Sequence, residues 1–223
     1  MEIKRTFDPS NDTKARVVAA ATRLFAEKGM EKVALRELTS AAGVNLAAVN
    51  YHFGTKEALC EAVLDSLAER VNARRLARLG QVLDEARSAG RRPALPAILD
   101  TFVAPYLDDE AADGAVLVQL LIKDRVSPSD MTARIIRRHF DPLARAYIAA
   151  FALACPDVNP DDFYRRYMFT YNTVILTASD RDASRIATMS MGRLDGADRP
   201  ALRQALMDYL VAAIGAPSRT PPG

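Results

Sequence analysis

Apolar residues recur at spacings of three and four along nearly the whole chain, which is the pattern of amphipathic α-helices. The first such stripe consists of Val17, Ala21, Leu24 and Phe25, and Gly29 follows it as a helix stop. By the same criteria, the first third of the chain is predicted to form four helices, over about residues 13–28, 35–42, 46–52 and 55–79.

Longer helical patterns separated by prolines and polar breaks follow. They predict helices over about residues 94–107, 113–125, 130–154, 160–179 and 198–214. Pro142 lies inside the third of these, where it either kinks the helix or starts a new one capped by Asp141. Residues 167–178 are rich in β-branched and aromatic side chains, but a lone strand has no partner, so this segment is also assigned to a helix. The sequence therefore predicts an all-α protein.

Composition and charge are those of an ordinary globular protein. Of the 223 residues, 49% are hydrophobic and 26% are charged, and the net charge of +2 does not by itself indicate a nucleic-acid partner. No apolar run approaches the roughly 20 residues of a membrane helix, and the N-terminus lacks the apolar core of an export signal. We therefore expect a cytoplasmic protein with no membrane partner.

Residues suited to catalysis are few. Cys60 and Cys155 lie in apolar helical settings without a Cys-x-x-Cys pair, which predicts two reduced thiols. His52 and His139 are the two imidazoles of the chain, and there is no Gly-rich phosphate loop, nucleophile elbow or metal-spaced set of ligands. We expect no catalytic residue, no metal site and no cofactor, and the sequence disfavours an enzyme.

Two short helices joined by a turn and preceded by a longer support helix describe a helix-turn-helix unit. Ala41 and Ala42 supply the small side chains needed where two such helices cross. Gly43 tolerates the positive φ that the turn requires, and Val44 inserts into the core behind it. Hydrogen-bonding groups lie on or beside the second short helix, at Asn45, Asn50, Tyr51 and His52.

Residues 41–59 resemble the DNA-binding signature of the TetR family of bacterial transcriptional regulators, as do residues 24–29 and 35–38. The resemblance covers about residues 12–65 and implies an N-terminal three-helix, helix-turn-helix DNA-binding domain and a C-terminal helical ligand-binding and dimerisation domain. We expect the former at residues 1–57 and the latter at 58–215, followed by a disordered tail at 216–223.

A recognition helix of this kind lies in the major groove, where Asn pairs with adenine and Arg with guanine edges. Asn50 is therefore a candidate for base contact, whereas Asn45 either contacts a base or caps the helix. The resemblance and the spacing together predict DNA contacts from Arg36, Asn45, Leu46, Ala47, Ala48, Asn50, Tyr51, His52, Thr55 and Lys56. The family often carries Thr and Ser at the positions of Val33 and Ala34, so this chain lacks a helix cap worth about 1 kcal/mol.

Four arginines follow in the fourth predicted helix. We interpret this set as a solvated face with helix-end charge rather than a second DNA patch; it consists of Arg70, Arg74, Arg75 and Arg78.

Two apolar stripes near the C-terminus offer a dimer surface. One consists of Leu202, Leu206, Tyr209, Leu210 and Ala213, and the other of Phe163, Tyr167, Thr170, Val174 and Thr177. In the family, such helices form a four-helix bundle across a two-fold axis. The alternative is that both stripes pack into the core of their own chain.

In the family, the middle helices enclose a small effector. The predicted ligand-binding residues are Phe102, Tyr106, Leu117, Leu120, Leu121, Tyr147, Phe169 and Asn172. Asn172 is an amide on an apolar helix and needs a partner, either a ligand or another helix. Residues 44–53 also resemble a subgroup that responds to fatty acids or their coenzyme A thioesters, which makes such a molecule a candidate effector.

These observations predict a ligand-responsive transcriptional regulator. It would bind double-stranded DNA at a palindromic operator as a homodimer, act as a repressor, and be released by a small hydrophobic effector. Two alternatives stay open, an activator of the same family and a helical protein-interaction module that does not act on DNA.

Overall fold

A computed structural model describes residues 9–29, 32–108, 112–126, 128–180 and 183–218. Within these ranges the regular secondary structure is helical throughout, which confirms the predicted all-α class. The helices are α1 Pro9–Lys28, α2 Leu35–Ala42, α3 Leu46–Phe53, α4 Lys56–Ser88, α5 Leu95–Leu107, α6 Ala112–Val126, α7 Asp130–Ile135, α8 Asp141–Ala154, α9 Asp162–Ser179, α10 Ala183–Met189 and α11 Arg199–Gly215. Among the described helices, none combines the length and the hydropathy needed to cross a membrane.

The helices α4 and α8 and the short helix α10 differ from the sequence expectation. α4 continues through Gly80 to Ser88, because Leu79 and Ala86 are buried on either side of the glycine and hold the helix against the core. A π-helical turn, Ile136–Phe140, separates α7 from α8. It widens the backbone just before Pro142, whose ring would clash with the preceding turn of a regular helix. Pro142 therefore starts a new helix, and α10 had not been predicted.

The chain divides into two compact units between Ala68 and Glu69, inside α4. The sequence expectation placed this division at 57/58, at the start of that helix. The difference arises because Leu59, Val63 and Leu67 of α4 are buried with the first unit rather than the second.

The expected C-terminal tail is described only as far as Ser218. The Ser218 hydroxyl accepts a hydrogen bond from the Asn159 amide (2.8 Å) and donates one to the Asp162 carboxylate (2.6 Å). Residues 216–218 are thus held against the start of α9, and residues 219–223 lie outside the described part of the chain.

In the first unit, α1, α2 and α3 pack on one another, and the stripe predicted for α1 forms the core. α2 ends in a Schellman turn, with Gly43 in the left-handed region at φ +62° and the Val44 amide donating to the Thr39 carbonyl (3.0 Å). From α1, Arg16 Nη2 donates to the carbonyls of Ala42 (2.7 Å) and Gly43 (2.9 Å). A cation therefore meets the negative end of the α2 dipole and fixes the turn.

The second unit is built around α5 and α9, which pack on each other. Each also packs on α6, α8 and α11. Phe102 of α5 lies edge-on to Tyr147 of α8 and to Tyr167 of α9, with ring centroids 5.0 and 5.8 Å apart. Such edge-to-face contacts orient the three helices as well as burying apolar area.

We expect Gly43→Ala to lower the free energy of unfolding by about 1–2 kcal/mol, because a Cβ disfavours positive φ. That Cβ would also stand 2.8 Å from Arg16 Nη2 and displace it from the α2 carbonyls. Gly80→Ala is the matched control, because its Cβ meets no heavy atom within 4 Å in a regular helix. Gly80→Ala should raise the free energy of unfolding by about 0.5–1 kcal/mol. Urea unfolding followed by circular dichroism measures both, and equal effects at the two glycines would contradict this account.

Candidate nucleic-acid interface

The helix α3 is anchored by one side and exposed on the other. Val49 and Phe53 are buried against the first unit, whereas Asn50 is exposed and Tyr51 is 85% exposed. The Tyr51 ring thus lies outside the core. The outward side of α3 therefore carries an amide and a phenol on a fixed support, as base and phosphate contacts require.

The N-terminus of α3 is capped by Asn45. The Asn45 side chain, in extended backbone conformation, accepts a hydrogen bond from the Ala48 amide at 2.7 Å. Its carbonyl oxygen thus satisfies a backbone donor that the first turn of the helix leaves unpaired. Of the two roles that the sequence left open for Asn45, capping is the one seen in the structure.

The start of α4 lies beside the same surface. The Thr55 hydroxyl accepts from the Ala58 amide at 3.1 Å and so caps α4. Lys56 Nζ donates to the Val33 carbonyl at 2.8 Å, which ties α4 to the segment before α2. Because a helix N-terminus carries partial positive charge, Thr55, Lys56 and the first turn of α4 form an environment that favours phosphate.

The start of α2 shows the consequence of its missing cap. Ala34 is the N-cap residue and makes no side-chain hydrogen bond, because alanine has no polar side-chain atom. A Lys28–Glu37 ion pair connects the end of α1 to the first turn of α2 instead. The hydrogen bond with Glu37, together with its charge, raises the pKa of Lys28. Arg36, on the adjacent position, is exposed.

The ten predicted DNA-contacting residues thus lie within one unit, on α2, on α3 and at the start of α4. Exposed members are Arg36, Asn45, Leu46, Ala47, Asn50, Tyr51 and Thr55, and half-buried members are Ala48, His52 and Lys56. Sequence reasoning missed Arg16, because its contacts with the turn join residues 26 and 27 positions apart. That the ten residues contact DNA stays a prediction.

Most of the residues predicted to bind a ligand lie in the core of the second unit. The buried members are Phe102, Tyr106, Leu117, Leu121 and Tyr147. The side chain of Leu120 lies outside the described part of the structure. Asn172 accepts a hydrogen bond from Arg125 of α6, so its partner is another helix.

Phe169, which was also predicted to bind a ligand, does not lie with the buried members, since its side chain is 67% exposed. α9 turns Tyr167, Thr170 and Val174 inward. Residue 169, two positions after Tyr167, falls on the opposite side of a helix with 3.6 residues per turn.

The predicted α9 stripe packs mainly within its own chain, whereas the predicted α11 stripe does so only in part. Phe163, Tyr167, Thr170 and Val174 of α9 are buried, as are Leu206 and Leu210 of α11. Tyr209 of the predicted α11 stripe and further apolar side chains of α9 are exposed instead. We call them the α9–α11 apolar set: Tyr164, Met168, Phe169, Leu176 and Tyr209.

Arg75 corrects the prediction of a solvated arginine face. Its side chain is 1% exposed, whereas Arg70 and Arg74 pair with Asp113 at the surface (3.5 and 3.0 Å). The signal was present in the sequence, because position 75 continues the four-residue spacing of the buried stripe at 67 and 71.

The Arg75 guanidinium lies among aromatic rings. Its Cζ is 4.6 Å from the ring centroid of Phe102, 5.0 Å from that of Tyr106 and 5.3 Å from that of Tyr147. Nη1 donates to the Tyr106 hydroxyl (2.7 Å) and to the Asn72 side-chain oxygen (3.4 Å). The sequence analysis had named all three aromatic residues for a ligand site but had not placed a cation among them.

Neither cysteine forms a disulfide. Cys60 is buried, and partial burial raises the pKa of the Cys155 thiol, which keeps it protonated at neutral pH. The described residues contain no group of three His, Cys, Asp or Glu side chains placed to hold a metal ion.

A helix-turn-helix head with an outward second helix, joined to a larger helical unit, is the architecture of a DNA-binding transcriptional regulator. Comparison with known families agrees with this class. Residues 17–63 match the family described as bacterial regulatory proteins, tetR family, and residues 100–213 match the Tetracyclin repressor-like, C-terminal domain. The chain belongs to the TetR family.

Curated relatives are similar over part of the chain. The HTH-type transcriptional regulator TtgR of Pseudomonas putida is 34% identical over 88 residues, which are 40% of this chain and 41% of TtgR. The HTH-type transcriptional repressor Rv3405c of Mycobacterium tuberculosis is 32% identical over 134 residues, 56% of this chain and 66% of that protein. The chain thus spans less than half of the first of these relatives and about two thirds of the second.

Solved structures extend the similarity of fold to nearly the whole chain. Salmonella enterica GusR superposes with a TM-score of 0.62 at 19% identity, over 95% of this chain and 99% of GusR. The fatty acid degradation regulator FadR of Bacillus halodurans gives 0.61 at 13% identity, over 95% and 98%. At these identities the likeness shows the fold alone.

Removing the α3 cap tests the local geometry. Asn45→Ala should lower the free energy of unfolding by about 1 kcal/mol, whereas Asn45→Ser, which keeps a capping oxygen, should lie within a few tenths of the parent. Urea unfolding measures both. Equal losses for Ala and Ser would show that the cap does not stabilise α3.

Proposed function

We propose that this protein is a ligand-responsive transcriptional repressor that binds a palindromic DNA operator as a homodimer. The observation that carries the proposal is α3 itself, which is anchored through Val49 and Phe53 and presents Asn50 and Tyr51 outward. Family membership supports the same function, because its relatives are named transcriptional regulators and one is named a repressor.

We assign DNA binding to the first unit, with separate residues for base contacts and phosphate contacts. Asn50 is proposed to pair with an adenine edge in the major groove, with Leu46 and Ala47 against thymine methyl groups. The remaining contacts are proposed to position the head on the phosphates. They come from Tyr51, His52, Thr55 and Lys56, with Arg36 reaching a base or a phosphate.

Dimerisation is proposed because one helix-turn-helix head makes too few contacts for a specific site. The α9–α11 apolar set supports it, since exposed apolar side chains grouped on neighbouring helices are typical of association surfaces. A second copy of the chain is the proposed occupant of this surface.

Effector binding is assigned to the second unit. The buried aromatic and leucine side chains of this unit favour a small hydrophobic molecule, with a fatty acid or its coenzyme A thioester as the candidates from the sequence. The alternative functions are an activator and a helical protein-interaction module. The DNA experiment that follows distinguishes the protein-interaction module from a DNA-binding regulator.

The operator is sought by selecting genomic fragments with the purified, refolded protein at near-physiological salt. A palindrome with half-sites about one helical turn apart is the expected result. No enrichment, together with weak and salt-independent binding to duplex DNA, would favour the protein-interaction module.

On that operator, Asn50→Ala should weaken binding much more than on random DNA, because it removes base contact. Lys56→Ala should weaken both about equally and lower the salt slope by about one unit. Fluorescence anisotropy at several salt concentrations measures these effects. Arg91→Ala, an exposed charge of the second unit, is the control and should change neither. An equal loss of affinity for both DNAs in Asn50→Ala would show that Asn50 does not contact a base specifically.

The dimer surface is tested with Phe169→Glu, which places a charge in the α9–α11 apolar set. We expect light scattering after gel filtration to give the mass of one chain rather than two, because a buried, unpaired carboxylate opposes association. Leu153→Glu changes another exposed apolar residue, on α8, and should leave the dimer intact. A dimeric Phe169→Glu protein, or a monomeric parent, would contradict the proposed surface.

A further inference from the structure

Arg75 is a buried cation without an opposite charge among the described residues. Its side chain is 1% exposed, and the described ion pairs of its neighbours on α4, Arg70 and Arg74, are with Asp113. Burying a guanidinium without a negatively charged partner is costly in free energy. Unpaired buried arginines are therefore rare.

The residues around Arg75 do not supply that charge. Its hydrogen-bond partners are the neutral Tyr106 hydroxyl and the neutral Asn72 amide, whose own nitrogen donates to the His139 carbonyl (2.9 Å). Burial raises the pKa of Tyr106, although the nearby Arg75 acts against this. Burial likewise raises the pKa of Tyr167. Both phenols are therefore uncharged at neutral pH, whereas an arginine stays protonated.

The unsatisfied donors have a defined geometry. Nη1 makes both hydrogen bonds, whereas Nε and Nη2 are buried and have no partner. These two nitrogens form the side of a guanidinium that presents two parallel N–H groups. It is the side that a carboxylate accepts with both oxygens.

The setting of these donors defines the rest of the ligand. Three aromatic rings lie within 5.3 Å of the guanidinium carbon, and Leu117 and Leu121 of α6 are buried in the same unit. Charged groups other than Arg75 are absent from its described contacts. A ligand reaching Nε and Nη2 would therefore carry its charge at one end and an apolar body elsewhere.

We propose that Arg75 binds the carboxylate of a small organic acid through Nε and Nη2, and that this acid is the effector. The inference rests on the proposed effector-binding role of the second unit and makes it more specific. It favours a free fatty acid or an aromatic acid over a coenzyme A thioester, because the thioester replaces the carboxylate by a neutral group.

The test uses the full chain, refolded from denaturant to remove any bound molecule. Acetate, butyrate, octanoate and benzoate are compared with the corresponding neutral amides and with inorganic phosphate. Thermal unfolding and calorimetric titration report binding without DNA. We expect octanoate or benzoate to raise the unfolding temperature and their amides to have little effect.

Arg75→Met should reduce carboxylate affinity by roughly ten- to a hundredfold, because it removes two charge-assisted hydrogen bonds. It should fold, since Met occupies the stem and no buried charge is left unpaired. Arg75→Lys, a second variant in case Met does not fold, keeps the charge but not the parallel pair of donors, and should also weaken binding. Arg78→Met, an exposed arginine on the same helix, should bind as the parent does.

The proposal is overturned if no carboxylate stabilises the parent, if amides or phosphate do so equally, or if both Arg75 variants bind as the parent does. Specific DNA binding without acid binding would refute this inference alone. Acid binding without any DNA binding would refute the proposed regulator and leave the acid site in place.

Discussion

The buried side of α4 is the constraint on which the rest of the structure depends. Leu59, Val63 and Leu67 are buried with the first unit, and Val71 and Leu79 continue the same spacing into the second. One continuous helix of 33 residues thus contributes to both cores. Because Leu79 before Gly80 and Ala86 after it are both buried, the glycine does not end the helix.

The DNA-reading head depends on a smaller set of backbone interactions. Gly43 permits the left-handed turn, and Arg16 holds the carbonyls at the end of α2. Asn45 then caps α3 and fixes its first turn. Together these contacts determine which side of α3 is outward, so that Asn50 is held in place without contributing to the core.

Arg75 interrupts the apolar stripe of α4 with a buried charge. It occupies a position at which the spacing calls for an apolar residue, and aromatic rings surround its charge. Its burial costs stability, because the described residues supply no counter-ion for the charge. A protein that retains this cost and leaves two parallel donors unpaired is suited to binding an anion.

Sequence by itself determined the all-α class, the bounds of α2, and the helix-turn-helix unit, because these follow from local spacing, a glycine and capping residues. Phe102, Tyr106 and Tyr147, which the sequence named as ligand-binding residues, lie together around Arg75, and their contact with a ligand stays a prediction. Tertiary structure alone decided that Phe169 faces outward and that most of the expected α9 stripe is core. A helical period shows which residues share a side, but only packing against helices distant in the chain shows what that side meets.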